Sequence, residues 1–446
     1  MEWQTGVAVP RYKKGDRRVC SNYRGITLLS LPGKVYSKVL GRRLRPMVKS
    51  RIQEEQCGFR PGRGTLDQLY TLHWILEGSW EFAQPVRMCF VDLEKAFDRV
   101  PRGVLWGVFR EYGVRGPLLR AIRSLYDWSQ SCVRKSDLFP VHVGLRQGCP
   151  LSLVLFTVFM ERISRRSQGP EGVRFGDHRI SSLLFADDVV LLAPTNQDLQ
   201  HALGRFSAEC EAAGMRISTS KSEAMVLDRK KVPCPLPVGG GALPQVGELK
   251  YLGVLFTSEG RMEREIDRRI GAVCAVTRSL YRTVVVKREL SRKVKLSIYR
   301  SIFVPSLTYG HELWVMTERT RSRIQVVEMS FLRRVAGRSL RDRVRSSVTR
   351  EELGVEPLLL HVERNQLRWL GHLFRMPPGR LPGEVFRARP TGRRPRGRPR
   401  TRWRDYVSQL AWERLGVPPD ELEEVCVDRE VWASLLRLLP PRPGNG

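Results

Sequence analysis

From the start of the chain to about Phe256, short apolar runs alternate with stretches in which apolar residues return every three or four positions. That alternation predicts short buried strands interleaved with amphipathic helices, an α/β or α+β core. Within it, VPCPLPVGGGALPQ (232–245) has the turn residues of a connector. From about Glu263 to Arg345 the pattern changes. MEREIDRRIGAVCAVTRSLYRTVV, SRKVKLSIYRSIFV and RSRIQVVEMSFLRRVAG all keep helical spacing on a basic background, which predicts a helical domain. Beyond about Ser346 lies a third zone around RARPTGRRPRGRPRTRWR (387–404), with nine arginines and no acid. The expected division is therefore 1–258, 259–345 and 346–446.

One apolar run carries an anomaly. LLFADDVVLL (183–192) sets Asp187 and Asp188 between two flanks, each of which reads as a short buried strand. Ionised carboxylates in such a place are costly unless a cation offsets them. A hairpin with the pair at its turn is expected, and a plain Asp-Asp turn is the simpler alternative. If the pair holds a metal, a further carboxylate should come from another strand. MCFVDLEKAFDRV (88–100) supplies one: Asp92 ends the apolar run Met88–Val91 just before a helical pattern. Helix N-capping is the competing role for Asp92.

Charge narrows the chemistry. Lys and Arg number 77 against 46 Asp and Glu, a net charge of +31, so a polyanionic partner is expected, nucleic acid before an anionic membrane surface. No run approaches the roughly 18 apolar residues of a spanning helix, and the N-terminal MEWQTGVAVPRYKKGD lacks a signal-peptide core. A soluble intracellular protein is expected, with nucleus and cytoplasm both open to it. The nine cysteines are scattered with no CxxC pair, which disfavours disulfides and structural zinc. His361 and His372 have no cysteine neighbours and read as ordinary side chains. Three carboxylates in a strongly basic chain suggest two-metal phosphoryl transfer. GxxxxGK[ST] is absent, leaving a polymerase or a nuclease. GLRQGCPLSLVLF (144–156) adds two glycines for close backbone approach, planar donors at Arg146 and Gln147, and Pro150 before an apolar helix.

The order of these motifs is more informative than any one of them. VDLEKAFDRV, GLRQGCPLS, FADD, AAGMRISTSKSE and KYLGVLF, preceded by KKGDRRVCSNYRGITLLSLPGKVYSKVLGRRL and EEQCGFRPGRGTLDQL, resemble the LINE-type (non-LTR) retrotransposon reverse transcriptases. TYGHELW (308–314) also resembles members of that group. The resemblance implies an α+β right-hand polymerase: fingers and a palm with an antiparallel sheet in 1–258, a helical thumb in 259–345, and a small basic region after it. It implies RNA-directed DNA polymerase activity by two-metal transfer to dNTPs from the 3′-hydroxyl of a DNA primer on an RNA template. Two Mg²⁺ are the implied ions, with Mn²⁺ able to substitute. Asp92, Asp187 and Asp188 would be the metal triad. Phe97 would be the steric gate against a ribose 2′-OH, with a core aromatic as the alternative. Arg24 would contact the triphosphate, Gln147 and Gly148 the nucleotide and template base, and Ala186 the primer end. Lys221 would be a candidate general acid for pyrophosphate, and Tyr251, Leu252 and Gly253 a primer grip.

Arg60 and Arg63 precede a helix expected to open with a Thr65–Gln68 capping box, and they fit either template-backbone contact or solvation. RRPRGRPR (393–400) offers Arg396 and Arg398 in an RGRP core resembling an AT-hook, with a generic basic linker as the alternative. TRWRDYVSQLAWERLG after it predicts an amphipathic helix with its tryptophans inward. The chain departs from the family where LVLF follows GCPLS without the usual proline, where CVRKSDLFPVHV (132–143) looks short, and in lacking a C-terminal Cys/His knuckle and a ribonuclease H carboxylate set. It opens almost directly on the first fingers motif, so an N-terminal endonuclease is not expected. A non-catalytic nucleic-acid-binding protein derived from such an element is the rival function. Oligomeric state is not legible in the sequence.

Overall fold

The computed structural model describes residues 3–133, 136–230, 232–280, 289–388, 392, 394–397, 399–440 and 442. The chain divides into two compact units, one of Met1–Gln68 with Pro85–Val246, the other of Leu69–Gln84 with Gly247–Gly446.

The first unit is built on two sheets. One has the order β2-β1-β4-β5, with β1 (Thr5–Tyr12) antiparallel to β2 (Tyr23–Leu29). In the same sheet β1 is parallel to β4 (Gln130–Val133), which pairs with β5 (Phe139–Pro140). The other sheet joins β3 (Val86–Val91) with β8 (Ser182–Phe185), β9 (Asp188–Ala193) and β10 (Glu223–Leu227) in the antiparallel order β10-β3-β9-β8. Small hairpins β6–β7 (Val173–Phe175, His178–Ile180) and β11–β12 (Pro237–Val238, Gly241–Ala242) complete the strands of this unit. β3 and β9 are buried almost throughout, because helix Asn196–Ala212 packs on both of them and helix Pro150–Ser167 packs against that helix. Such strands read as unbroken apolar runs rather than alternating ones. The core beneath the sheet gathers Cys89, Val91, Phe109, Leu155, Phe159, Leu191 and Phe206. Helix starts follow local chemistry: Ser30 accepts from Gly33 N–H at the start of Leu31–Lys49, and Thr195 accepts from Asp198 N–H at the start of Asn196–Ala212.

The second unit is helical, as the spacing after Glu263 predicts, apart from the hairpin of β13 (Glu248–Tyr251) and β14 (Val254–Thr257). Helix Leu358–Phe374 is its hub, with Glu318–Val335, Leu381–Arg387, Trp403–Leu415, Leu422–Val427 and Arg429–Leu438 around it. Tyr70 and Trp74 bring aromatic rings from helix Thr65–Glu81 into this unit, against Trp403, and Tyr70 also meets Trp369.

Two local expectations are corrected. Gln68 does not cap its helix: its amide donates to Glu55 O at 2.6 Å and Leu184 O at 2.9 Å, while Asp67 accepts from Gly64 N–H at 2.7 Å. Of the two tryptophans in Trp403–Leu415, Trp403 is fully buried but Trp412 is 48% exposed. Nine residues separate them, which at 3.6 residues per turn puts them on opposite faces. All nine cysteines are unpaired. Among the described residues, no helix is long and apolar enough to cross a membrane.

Candidate functional site

In the first unit the carboxylates are delivered by register. Val91 of β3 faces Val189 of β9, so one step further Asp92 stands across from Asp188. β8 and β9 close with Phe185 paired to Asp188, leaving Ala186 and Asp187 as the two-residue turn. The plain Asp-Asp turn is thereby replaced by one in which Asp188 opens a strand. Asp92 is not a helix cap either, since Lys95 precedes the short helix Ala96–Arg99.

Ala186 has φ +61°, a left-handed conformation uncommon for a residue with a Cβ. Gln56 holds it there: its side-chain oxygen accepts from Ala186 N–H at 3.1 Å and from Gly58 N–H at 2.8 Å, and Cys57 N–H donates to Leu184 O at 3.0 Å. Gly58 is required by that approach, because a Cβ there would lie 2.2 Å from Ala186 N. Ala186 itself is buried.

Opposite the hairpin, the loop before β10 is fastened to the end of β3. Ser218 N–H donates to Asp92 O at 2.8 Å, Ser222 Oγ accepts from Asp92 N–H at 3.1 Å, and Glu94 N–H donates to Arg216 O at 2.9 Å. This fastening places Lys221 Nζ 3.3 Å from Asp92 Oδ1 in a solvent-exposed pair. A third group approaches from β2. Arg24 Nε donates to Gln147 Oε1 at 2.5 Å, and Gln147 Nε2 donates to Asp98 Oδ1 at 3.0 Å. Thr27 N–H donates to Gln147 O at 2.7 Å, and Gly148, at φ +108°, sits where a Cβ would be 2.7 Å from Thr27 O. Phe97 is buried, stacked on Phe156 at 4.1 Å between centroids and edge-on to Phe59 at 6.4 Å.

The electrostatics single out the hairpin. Partial burial, together with Asp187 and Asp92, pushes the Asp188 carboxyl up to about 6, although the residue as a whole is exposed to solvent. Burial also raises Asp187, with Arg24 and Lys13 partly opposing and Asp92 adding to the rise. Three oxygen-only ligand residues carrying surplus negative charge fit a hard divalent cation. Among the described residues, no three His, Cys, Asp or Glu side chains form an assembled metal cluster. Mutual repulsion and the Lys221 pair both oppose convergence of these carboxylates.

The other expected residues fall elsewhere. Arg60 donates to Gln53 O, Gln56 O and Glu54, and Arg63 to both Glu54 oxygens, so they brace the loop that carries Gln56. Tyr251, Leu252 and Gly253 belong to the second unit. Leu252 (φ +44°) and Gly253 (φ +85°) make the turn of β13–β14, as a primed hairpin turn requires. Tyr309 Oη donates to Leu252 O at 2.8 Å, and Arg268 and Arg269 donate to Gly253 O at 2.8 and 2.6 Å. Arg396 is exposed, and Arg398 lies outside the described residues. The sequence reading missed Gln56, Asp98 and Ser222, whose roles depend on partners 130, 49 and 130 positions away.

The model of the reverse transcriptase (RNA-dependent DNA polymerase) family matches residues 12–256, more than half of the chain. The chain belongs to the reverse transcriptase family. Relatives come from non-LTR retrotransposons, in agreement with the resemblance read from the motifs. This reverse transcriptase is 24% identical over 414 residues to the "Probable RNA-directed DNA polymerase from transposon X-element" of Drosophila melanogaster, covering 90% of the chain and 44% of that protein. It is 25% identical over 300 residues to the Pol polyprotein from type-2 retrotransposable element R2DM of the same species, covering 64% and 27%. The chain thus spans less than half the length of these relatives. A telomerase from Candida tropicalis, solved with a fragment of telomeric RNA, aligns with a TM-score of 0.47 and 11% identity over 98% of this chain and 65% of that one. Members of the family generally depend on divalent metal.

Proposed function

We propose that this reverse transcriptase is an RNA-directed DNA polymerase, extending the 3′-hydroxyl of a DNA primer with dNTPs on an RNA template. The observation that carries the reading is the carboxylate surplus where β3 meets the β8–β9 hairpin, with Asp188 raised to about 6 by burial, Asp187 and Asp92. Asp92, Asp187 and Asp188 would hold two Mg²⁺, or Mn²⁺ in their place. Such ions supply activation of the attacking hydroxyl and neutralisation of charge on the transferred phosphorus.

The chain's own residues do the rest. The Ala186–Asp187 turn, fixed through Gln56, would offer its backbone to the primer end, the Ala186 side chain being buried beneath it. Arg24 offers a guanidinium to the triphosphate, and its bond to Gln147 sets the orientation of both. Gly148 lets the loop close against Thr27 O, which would hold Gln147 and Gly148 beside the nucleotide and template base. Phe97, locked by Phe156, cannot swing aside for a 2′-hydroxyl. Lys221, held beside Asp92, would give a proton to departing pyrophosphate. In the second unit, the Leu252–Gly253 turn has both its carbonyls fixed by Tyr309, Arg268 and Arg269, which suits it to grip a primer backbone.

Primer extension on an RNA template with dNTPs and Mg²⁺ tests the reading, comparing the native chain with Asp187→Asn. Extension abolished by the substitution is expected. A folded native chain that binds primer-template yet extends nothing would overturn it in favour of a non-catalytic nucleic-acid-binding protein.

A further inference from the structure

Helix Leu31–Lys49 of the first unit has an uneven distribution of charge. Its sequence, LPGKVYSKVLGRRLRPMVK, carries six cations and no acid. Its apolar face is spent inside the fold: Leu40, Leu44 and Val48 are buried as the helix packs on Pro150–Ser167 and Gly116–Asp127. The opposite face is open. Lys34, Lys38, Arg42, Arg43 and Lys49 are exposed and pair with no carboxylate among the described residues, while Leu31, Val35 and Val39 lie exposed between them. Elsewhere arginines are taken up by acids, as at Glu54, Glu111, Glu265 and Glu363. Five unpaired cations on one face raise the folded protein's self-repulsion, and a polyanion laid along the face removes it.

We infer that the exposed face of helix Leu31–Lys49 docks the phosphate backbone of a double-stranded segment of RNA. Lys34, Lys38 and Arg42 follow one another at four-residue intervals, about 6 Å apart along the axis. That spacing suits the shorter phosphate repeat of an A-form strand better than the longer repeat of B-form DNA. Recognition through phosphates by cations on a regular element is how double-stranded RNA is bound by shape rather than sequence. The interspersed valines fit the aliphatic side of riboses. An anionic membrane is the weaker partner. Membrane-lying helices use a continuous free apolar face rich in large side chains; here Leu40, Leu44 and Val48 are buried in the fold, and the exposed Leu31, Val35 and Val39 are interspersed with cations. The choice of RNA rests on the RNA-template reading above: this surface would hold a folded part of the same molecule that supplies the template.

The test uses the full chain in EDTA without dNTPs, so that binding is read apart from polymerisation. Affinity for a blunt RNA hairpin is measured by fluorescence anisotropy across a salt series, for the native chain and for Lys34→Gln, Lys38→Gln, Arg42→Gln combined. Loss of three phosphate contacts should lower the slope of log K against log salt by about 2 to 3 and weaken binding about tenfold or more at moderate salt. The unfolding midpoint and primer extension on a short bare template should not change. The charge-preserving Lys34→Arg, Lys38→Arg, Arg42→Lys chain should bind like the native one. An unchanged RNA affinity and slope overturns the inference. So does an equal loss on a DNA hairpin of the same stem, or a loss confined to phosphatidylserine vesicles. If the native chain extends no primer at all, the polymerase reading fails while the binding result still decides this one.

Discussion

Two groups of acids, one in each unit, are treated in opposite ways. In the second unit three glutamates are buried completely or nearly so, and each is matched. Glu265 receives Arg268, Arg269 and Leu255 N–H; Glu328 receives Arg350, Tyr299 Oη and Leu358 N–H; Glu363 receives Arg321, Arg414 and Arg442. In the first unit Asp92, Asp187 and Asp188 lie at the end of one sheet with only the exposed Lys221 paired to them among the described residues, and burial and mutual repulsion hold the hairpin pair above the usual carboxylate range. A carboxylate surrounded by guanidiniums is a structural joint. A group of carboxylates short of cations is a site that requires one from outside.

Substitutions should separate the two kinds. The largest effect is expected from Asp188→Asn, with primer extension reduced by about a thousandfold or more while thermal stability holds or rises, since removing one of three crowded charges relieves repulsion. A comparable loss of stability would place Asp188 with the joints. Glu363→Ala should do the reverse, removing the buried acid shared by three arginines and costing about 3 to 5 kcal/mol in the second unit. Denaturant unfolding followed by tryptophan fluorescence reads this unit well, because seven of the ten tryptophans belong to it.

Glu77, in the second unit, departs from the three matched glutamates and shows it through pH. Burial pushes its carboxyl up to about 8, despite the hydrogen bond it accepts from Trp403 N–H. The folded state therefore takes up the proton more readily than the unfolded one. The associated stability is complete below about pH 4.5 and is lost as pH rises towards 8, by an amount on the order of a few kcal/mol. Glu77→Gln should flatten that decline in a series of unfolding midpoints, and a parallel pH profile would remove the assignment. The smallest effect belongs to Gln56→Leu. Stability should fall by about 1 to 3 kcal/mol through two orphaned N–H groups, with a slower maximal rate of extension and little change in the Michaelis constant for dNTP. Equal rates would show that the Ala186 turn holds its shape unaided.

The sheet that carries the three carboxylates was legible because its clues are local. An apolar run ending in an acid marks a strand edge, and the two carboxylate-bearing runs became neighbours through the antiparallel register that their lengths allow. What stayed hidden depends on distance along the chain. Nothing around Arg60 and Arg63 announces that both turn inward to Glu54, and nothing in Thr65–Gln68 shows that the glutamine reaches Leu184 instead of its own helix end. The tryptophans of Trp403–Leu415 were misread for a simpler reason: aromatic residues suggest core, but their spacing places them on different faces. No change of composition marks Leu69–Gln84 as belonging with residues beyond Gly247.

That last feature matters to the chain while it is being made. Tyr70 and Trp74 emerge from the ribosome early, yet the ring that closes over them belongs to Trp403, and the tie from Trp403 to Glu77 spans 326 positions. At about 5 to 20 residues per second, translation leaves this aromatic surface uncovered for tens of seconds. During that interval the nascent chain offers chaperones, or other nascent chains, a sticky helix that the finished protein never shows.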